Sequence, residues 1–290
     1  MKILFVINPH SGSSSSESVI ALIQEMAALK KISISIIYTS GKRDNDIIRE
    51  EIELYKPDKV VAGGGDGTIQ LVARNLIGTN IPIVLLPLGS ANGLATSLNI
   101  PSDNNALAEY VFSDLKSMPL DLLRINNRHI CVHLADIGIN GMMVKEYEKA
   151  GHSGMFGYAR HLFHAVKETP LLHYTIKTEN QTLEQQGYML AFANANMYGT
   201  GIQITEGSVH DGMFEIRNIP EVSWTDAIKA GLTKFNIFVD KQMFVDVISC
   251  RQAEIFIDQK ADLQIDGEYI GVVDYLKIEI LASAIRILIP

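Results

Sequence analysis

Cysteine is almost missing from this chain. Two occur in 290 residues, Cys131 and Cys250, with neither a C-x-x-C pair nor a Cys/His cluster. That excludes a disulfide framework and a zinc site, and makes a reducing cytosol the expected compartment. Long apolar runs are missing too. None approaches the roughly 18 residues that a membrane-spanning helix needs. The apolar start, residues 2–7, is cut by Asn8-Pro9 before it could serve as a signal-peptide core. A soluble protein with only peripheral, transient membrane contact is expected. There is no basic excess: 25 Lys and Arg stand against 33 Asp and Glu, a net charge of −8, so nucleic acid is not an expected partner. No repeat of fixed period occurs.

What is present suffices for two packed domains, with 47% hydrophobic and 20% charged residues. Residues 2–7 form an apolar run typical of a strand buried on both faces. Helical spacing follows in residues 19–30, and β-branched residues dominate 32–38. Residues 46–55 are helix-like, 59–62 strand-like, 69–77 helix-like and 81–86 strand-like. This βαβα rhythm predicts a parallel sheet with helices on both faces. Beyond residue 121 the texture changes to Val, Ile, Thr and Tyr segments separated by Gly and Asn turns: 128–134, 173–178, 187–193, 213–218, 253–257, 262–265, 276–281 and 285–289. An antiparallel, sheet-rich second domain is expected, interrupted by helices at 155–166 and 224–235. The domains are placed at 1–121 and 122–290.

The most informative segment is Gly63-Gly64-Gly65-Asp66-Gly67-Thr68, between a strand and a helix. Successive glycines can adopt backbone angles closed to other residues and converge their N–H groups on an anion. The helix that follows turns its positive end to the same spot. Asp66 is the odd member: a carboxylate beside phosphates asks for a cation, or else caps the helix. Neither a Walker loop nor a G-x-G-x-x-G turn is present. Elsewhere, Asp266-Gly267 between strand-like runs predicts a hairpin turn carrying Glu268. Asp211-Gly212 reads as a surface turn, and Asp121 as a strand-end residue.

Gly64-Gly65-Asp66-Gly67-Thr68 resembles the signature shared by diacylglycerol kinases, sphingosine kinases, their bacterial relatives and NAD kinases. Further segments resemble the lipid kinases in particular. Asn8-Pro9-His10-Ser11-Gly12 is similar to their Asn-Pro-x-Ser-Gly turn. Pro87-Leu88-Gly89-Ser90-Ala91-Asn92-Gly93-Leu94-Ala95 is similar to their Pro-Leu-Gly-Thr-x-Asn-Asp-x-Ala segment. Ala193-Asn194 through Tyr198-Gly199-Thr200-Gly201, His210-Asp211-Gly212 and Ile265-Asp266-Gly267-Glu268 follow in the family's order, so the resemblance spans nearly the whole chain.

The resemblance implies a Rossmann-like α/β domain of the type found in NAD and diacylglycerol kinases, followed by an all-β domain with helical insertions. It implies an ATP-dependent kinase of a diacylglycerol-like lipid, with Mg²⁺ as cofactor, a site in the interdomain cleft and a homodimeric state. Nucleotide contacts would come from Thr39, Gly64, Gly65, Asp66, Gly67, Thr68, Ile69, Gln70, Ser90 and Asn92. Asp211 by carboxylate, with Ser208 and Met213 by carbonyl, would hold a structural Mg²⁺. Asp121 and Asp66 would belong to the network around a catalytic one. Glu268 would accept the proton of the lipid hydroxyl, its pKa raised by burial, with Asp66 as the rival base. Ser90 replaces a Thr and keeps the hydroxyl. Gly93 replaces an Asp, which removes a carboxylate from the metal network and leaves open a nucleotide-binding protein of weak or lost transfer activity. NAD kinase is the other alternative. The apolar helical faces at 155–166 and around Trp224 are expected to be core, and His161 and His164 ordinary polar residues.

Overall fold

The computed structural model describes residues 1–11, 15–89, 92–149, 170–194, 197–198, 202–203, 208–220 and 245–290. They form two compact units, Met1–Asp121 with Ser283–Pro290, and Leu122–Ala282. The helices expected at 155–166 and 224–235 lie outside the described residues.

The first unit runs β1 (Lys2–Ile7), α1 (Ser15–Leu29), β2 (Ser33–Tyr38), α2 (Asp44–Tyr55), β3 (Lys59–Gly64), α3 (Asp66–Leu76), β4 (Ile83–Pro87), α4 (Gly93–Ser97) and α5 (Asn104–Phe112). The strands lie parallel in the order β2–β1–β3–β4. β1 and β3 are central, and this is why residues 3–7 and 60–64 are all buried. α3 buries Thr68, Ile69, Val72, Ala73 and Leu76, a single helical stripe. α5, which the sequence did not announce by periodicity, is started by Asp103, whose carboxylate accepts the N–H groups of Asn105 and Ala106 at 3.0 Å. At its other end the buried Lys59 ammonium donates to the Val111 carbonyl at 2.7 Å. That places a cation at the negative end of the helix.

The tail Ser283–Pro290 belongs to this unit, whereas the sequence expectation carried the second domain through residue 290. It lies parallel to β4, Ile287 opposite Ile83 and Leu288 opposite Val84. The Tyr110 hydroxyl donates to the Leu288 carbonyl at 2.8 Å. A strand's partner across some 200 residues leaves no mark on its own residues, so the assignment needed the structure.

The second unit is entered through β5 (Lys116–Ile125) and continues with β6 (His129–Cys131), β7 (Leu134–Gly138), α6 (Ile139–Lys149), β8 (Leu172–Thr178), β9 (Thr182–Gly187), β10 (Met189–Ala193), β11 (Met197–Tyr198), β12 (Ile202–Gln203), β13 (Phe214–Ile219), β14 (Val245–Cys250), β15 (Gln252–Ile265) and β16 (Glu268–Ile289). Its main path, β14–β13–β10–β7–β15–β16, is antiparallel throughout. A core including Phe192, Phe214, Leu263 and Ile265 fills it. The segments expected as four strands at 253–257, 262–265, 276–281 and 285–289 are two long ones, with a bulge between Phe256 and Ala261. α6 was not expected. Gly141 sits in its first turn, and a Cβ there would collide with the Asp262 carbonyl of β15, so glycine allows the helix to lie on the strand. Neither cysteine is in a disulfide, and both are buried. Among the described residues no helix is long and apolar enough to cross a membrane.

Candidate active site

β3 runs through Gly64, which pairs with Pro87, and α3 opens at Asp66. Gly65 is extended, φ −87° and ψ −171°. None of Gly63, Gly64, Gly65 or Gly67 has a positive φ, which corrects the expectation of special backbone angles. What these positions require is room. A Cβ on Gly64 would collide with the Thr68 side chain, and one on Gly89 would stand 2.5 Å from the Gly65 Cα. The two glycine turns thus pack backbone against backbone. The amides of Thr68 and Ile69 already donate to the Gly65 carbonyl at 3.0 and 3.1 Å, so the donors that the start of α3 offers, together with the positive helix end, are those of Asp66 and Gly67.

Asp66 does not cap its own helix; the cap position is Gly65, without a side-chain bond. Its carboxylate caps α4 instead, accepting the N–H of Gly93 at 2.8 Å and of Leu94 at 3.2 Å. Asn92, at φ +51°, closes the neighbouring turn on itself: its amide oxygen accepts the Gly89 N–H at 3.0 Å and its amide nitrogen donates to the Gly89 carbonyl at 2.8 Å. Thr68 and Ile69 bury their side chains and give their N–H groups to the Gly65 carbonyl, so the nucleotide contacts expected from these two residues are not offered. Gln70 is half-buried on α3, and the Thr39 N–H bonds the Ile7 carbonyl at the end of β1. Asp121 is 1% exposed, and its carboxylate accepts the Ser283 N–H at 2.6 Å. Ser90 lies outside the described residues.

In the second unit Asp266 and Gly267 form the two-residue turn between β15 and β16, with Ile265 opposite Glu268. Their φ values, +50° and +85°, are those a primed hairpin turn needs. Glu268 is exposed at the tip, so the burial expected to make it basic is not found; a hairpin tip projects from its sheet. Asp266 points the other way. Its carboxylate accepts the N–H groups of Val132 at 2.9 Å, His133 at 2.9 Å and Leu134 at 3.1 Å.

The loop expected to hold a structural cation is closed by Asp211, whose two carboxylate oxygens accept the N–H groups of Ser208 at 2.9 Å and Met213 at 3.0 Å. The donors there are all oxygen, as a hard cation prefers. Burial, with the charge of Asp211 adding to it, pushes the nearby Glu215 up to about 7. Oxygen ligands of this kind suit Mg²⁺, which Asp211 could hold only through the lone pairs that its two amide bonds leave. Among the described residues no three His, Cys, Asp or Glu side chains gather as a metal cluster. Asp66 and Asp121 could hold a cation only through the oxygen lone pairs their amide bonds leave.

The comparisons with known proteins divide as the chain does. The diacylglycerol kinase catalytic domain matches residues 2–125, and the YegS C-terminal NAD kinase beta sandwich-like domain matches residues 136–289. The chain belongs to the diacylglycerol-kinase-type lipid kinases. Among relatives, the probable lipid kinase YegS-like protein of Klebsiella pneumoniae (strain 342) is 26% identical over 265 residues, covering 89% of this chain and 87% of its own. The probable lipid kinase YegS of Salmonella arizonae is 26% identical over 267 residues, with the same coverage. A crystal structure of a diacylglycerol kinase from Bacillus anthracis str. Sterne superposes with a TM-score of 0.75 at 19% identity, covering 100% of this chain and 97% of the other. At that identity the likeness shows the fold: an α/β domain with parallel strands followed by a β sandwich.

For a lipid kinase of this family, two polar residues stand out that the sequence reading passed over, Asp136 and Gln264. Asp136 and Gln264 are 0% and 2% exposed. Burial raises Asp136 to about 7, against the lowering hydrogen bonds of Asn140, Gln264 and the Gly141 amide. The signal was available for Asp136, a lone acid in the apolar run from Cys131 to Ile139.

Proposed function

We propose that the protein transfers the γ-phosphate of ATP to the hydroxyl of a diacylglycerol-like lipid. The observation that supports this reading is the start of α3 at Asp66 and Gly67, set directly after the turn at Gly65 that packs backbone on backbone against Gly89. There the N–H groups of α3 hold the nucleotide's phosphates, supported by the helix dipole. The lipid oxygen attacks the γ-phosphorus, the bond from that phosphorus to the bridging oxygen breaks, and ADP leaves. Glu268 takes the hydroxyl proton. It is favoured over Asp66 because both oxygens of Asp66 already accept backbone amides. Glu268 is exposed, and a lipid laid over it would exclude water from its carboxylate. Mg²⁺, when bound, neutralises phosphate charge; Asp66 and Asp121 are the residues toward it. Asp211 by carboxylate, with Ser208 and Met213 by carbonyl, would hold a second cation that would stabilise the 208–213 loop.

The test is incubation with labelled ATP, Mg²⁺ and a total lipid extract. Labelled lipid from the wild-type protein, lost in Glu268→Gln while ATP still binds, is the expected result. NADP formed from NAD and ATP would overturn the reading in favour of an NAD kinase. Nucleotide binding with neither product would leave a binding protein disabled at Gly93.

A further inference from the structure

Asp136 lies in the middle of β7, opposite Gln264 of β15, and between the apolar Ala135 and Ile137. Burying an acid and an amide together in a strand pair weakens the fold relative to two apolar residues, so their retention asks for a reason. Their bonds lead to one place. A single carboxylate oxygen of Asp136 accepts the Gln264 side-chain N–H at 2.5 Å and the Asn140 side-chain N–H at 2.7 Å. The oxygen of the Gln264 amide in turn accepts the N–H of Gly267 at 2.8 Å. Gly267 is the second turn residue of the hairpin, directly before Glu268. An amide has one donor end and one acceptor end. With an acceptor at Asp136, Gln264 can present only its oxygen to the turn, so the relay has a fixed direction.

The turn is tied at its first residue as well. Asp266 accepts three successive amides from Val132 to Leu134, and its own N–H bonds the Leu134 carbonyl at 2.8 Å. Two turn residues are therefore anchored by two separate side chains to the same stretch of β7 and its approach. A two-residue turn closes without such help, so the extra anchoring fixes where the tip points rather than whether it forms.

We propose that Gln264 and Asp136 are positioning residues that orient the Glu268 carboxylate by clamping the Gly267 amide. This inference rests on Glu268 being the base. A displacement of about 1 Å at a reacting group lowers turnover on the order of 100-fold, so loosening the clamp reduces kcat and spares ATP affinity.

The experiment compares Gln264→Leu, Asp136→Ala, Asp136→Asn and Glu268→Gln in the full chain, with cooperative melting as the fold check. Gln264→Leu and Asp136→Ala are expected to lower kcat at least about tenfold while KM for ATP stays within twofold. Asp136→Asn keeps an oxygen for Gln264 and is expected to recover most of the loss. Amide exchange at Gly267 should quicken in Gln264→Leu and not in Asp136→Asn. If Gln264→Leu does not fold, Gln264→Met, similar in length and volume, takes its place. Wild-type kcat in the Gln264 variant beside an inactive Glu268→Gln overturns the positioning role alone. Full activity in Glu268→Gln overturns the base reading and the positioning role with it. Equal damage from Asp136→Asn and Asp136→Ala overturns the relay.

Discussion

The carboxylate of Asp66 accepts the backbone N–H of Gly93 at 2.8 Å. The acid of the first glycine turn is thus bonded to the position where the lipid-kinase pattern has a second acid. With glycine at 93, Asp66 satisfies the start of α4 by itself, and position 93 brings no second carboxylate beside it.

Reintroducing that acid should make the protein dependent on metal. Gly93 is buried, so Gly93→Asp brings two carboxylates together. In chelator it is expected to lose about 1–3 kcal/mol of stability. Mg²⁺ should restore the loss, lower the Mg²⁺ concentration for half-maximal rate and raise turnover. Thermal melts with and without Mg²⁺, beside an Mg²⁺ titration of activity, check this. Unchanged turnover and unchanged Mg²⁺ dependence would remove Gly93 as the cause of any weak activity.

Gly89→Ala should damage nucleotide binding through the backbone. Its Cβ would meet the Gly65 Cα, and neither atom belongs to a side chain that can swing aside. Forcing the turns apart should cost about 1–3 kcal/mol and weaken ATP binding measured by calorimetry. Gly212→Ala serves as a contrast. It has a positive φ but a wide space around the added Cβ, so it should cost only about 1 kcal/mol and leave ATP affinity intact.

How much could be read beforehand depends on how local each cause is. β1 and the Asp266-Gly267 hairpin were legible because an apolar run and a turn dipeptide act over a few neighbours. The partners of the site acids were not. Asp66 reaches 27 residues ahead to Gly93, and Asp266 reaches 134 residues back to Val132. Gly-rich turns were found for a partly mistaken reason: the chain uses the absent side chain at 64 and 89, not an unusual angle. α4 is too short to show periodicity, and α6 contains a glycine that lowers any helical expectation.

Removing the acid at 136 should alter the pH profile of stability. The folded carboxyl titrates at about 7 because of burial, while an unfolded Asp titrates near about 3.9. The unfolded chain therefore releases its proton first, and the wild-type protein loses stability as pH rises from about 4 to about 7. Asn cannot titrate. Asp136→Asn should gain on the wild type across that window by up to about 4 kcal/mol. Denaturant melts of both proteins at pH 5 and pH 8 measure it. A constant difference between the two would show that the carboxyl titrates as it does in water.

The 208–213 loop offers a metal test independent of catalysis. Asp211 ties both ends of that loop. If it also holds Mg²⁺, added Mg²⁺ should raise the melting temperature of the wild-type protein and not that of Asp211→Ala. The same upward shift in both would place the stabilising cation elsewhere.

The strand laid beside β4 by residues 287 and 288 has a consequence for synthesis. On the ribosome, the α/β half emerges first but lacks its edge strand until the other half has been translated. A nascent chain stalled near residue 121 would expose the open side of β4 to whatever else could pair with it. The order of translation and the order of completion are therefore opposite in this protein.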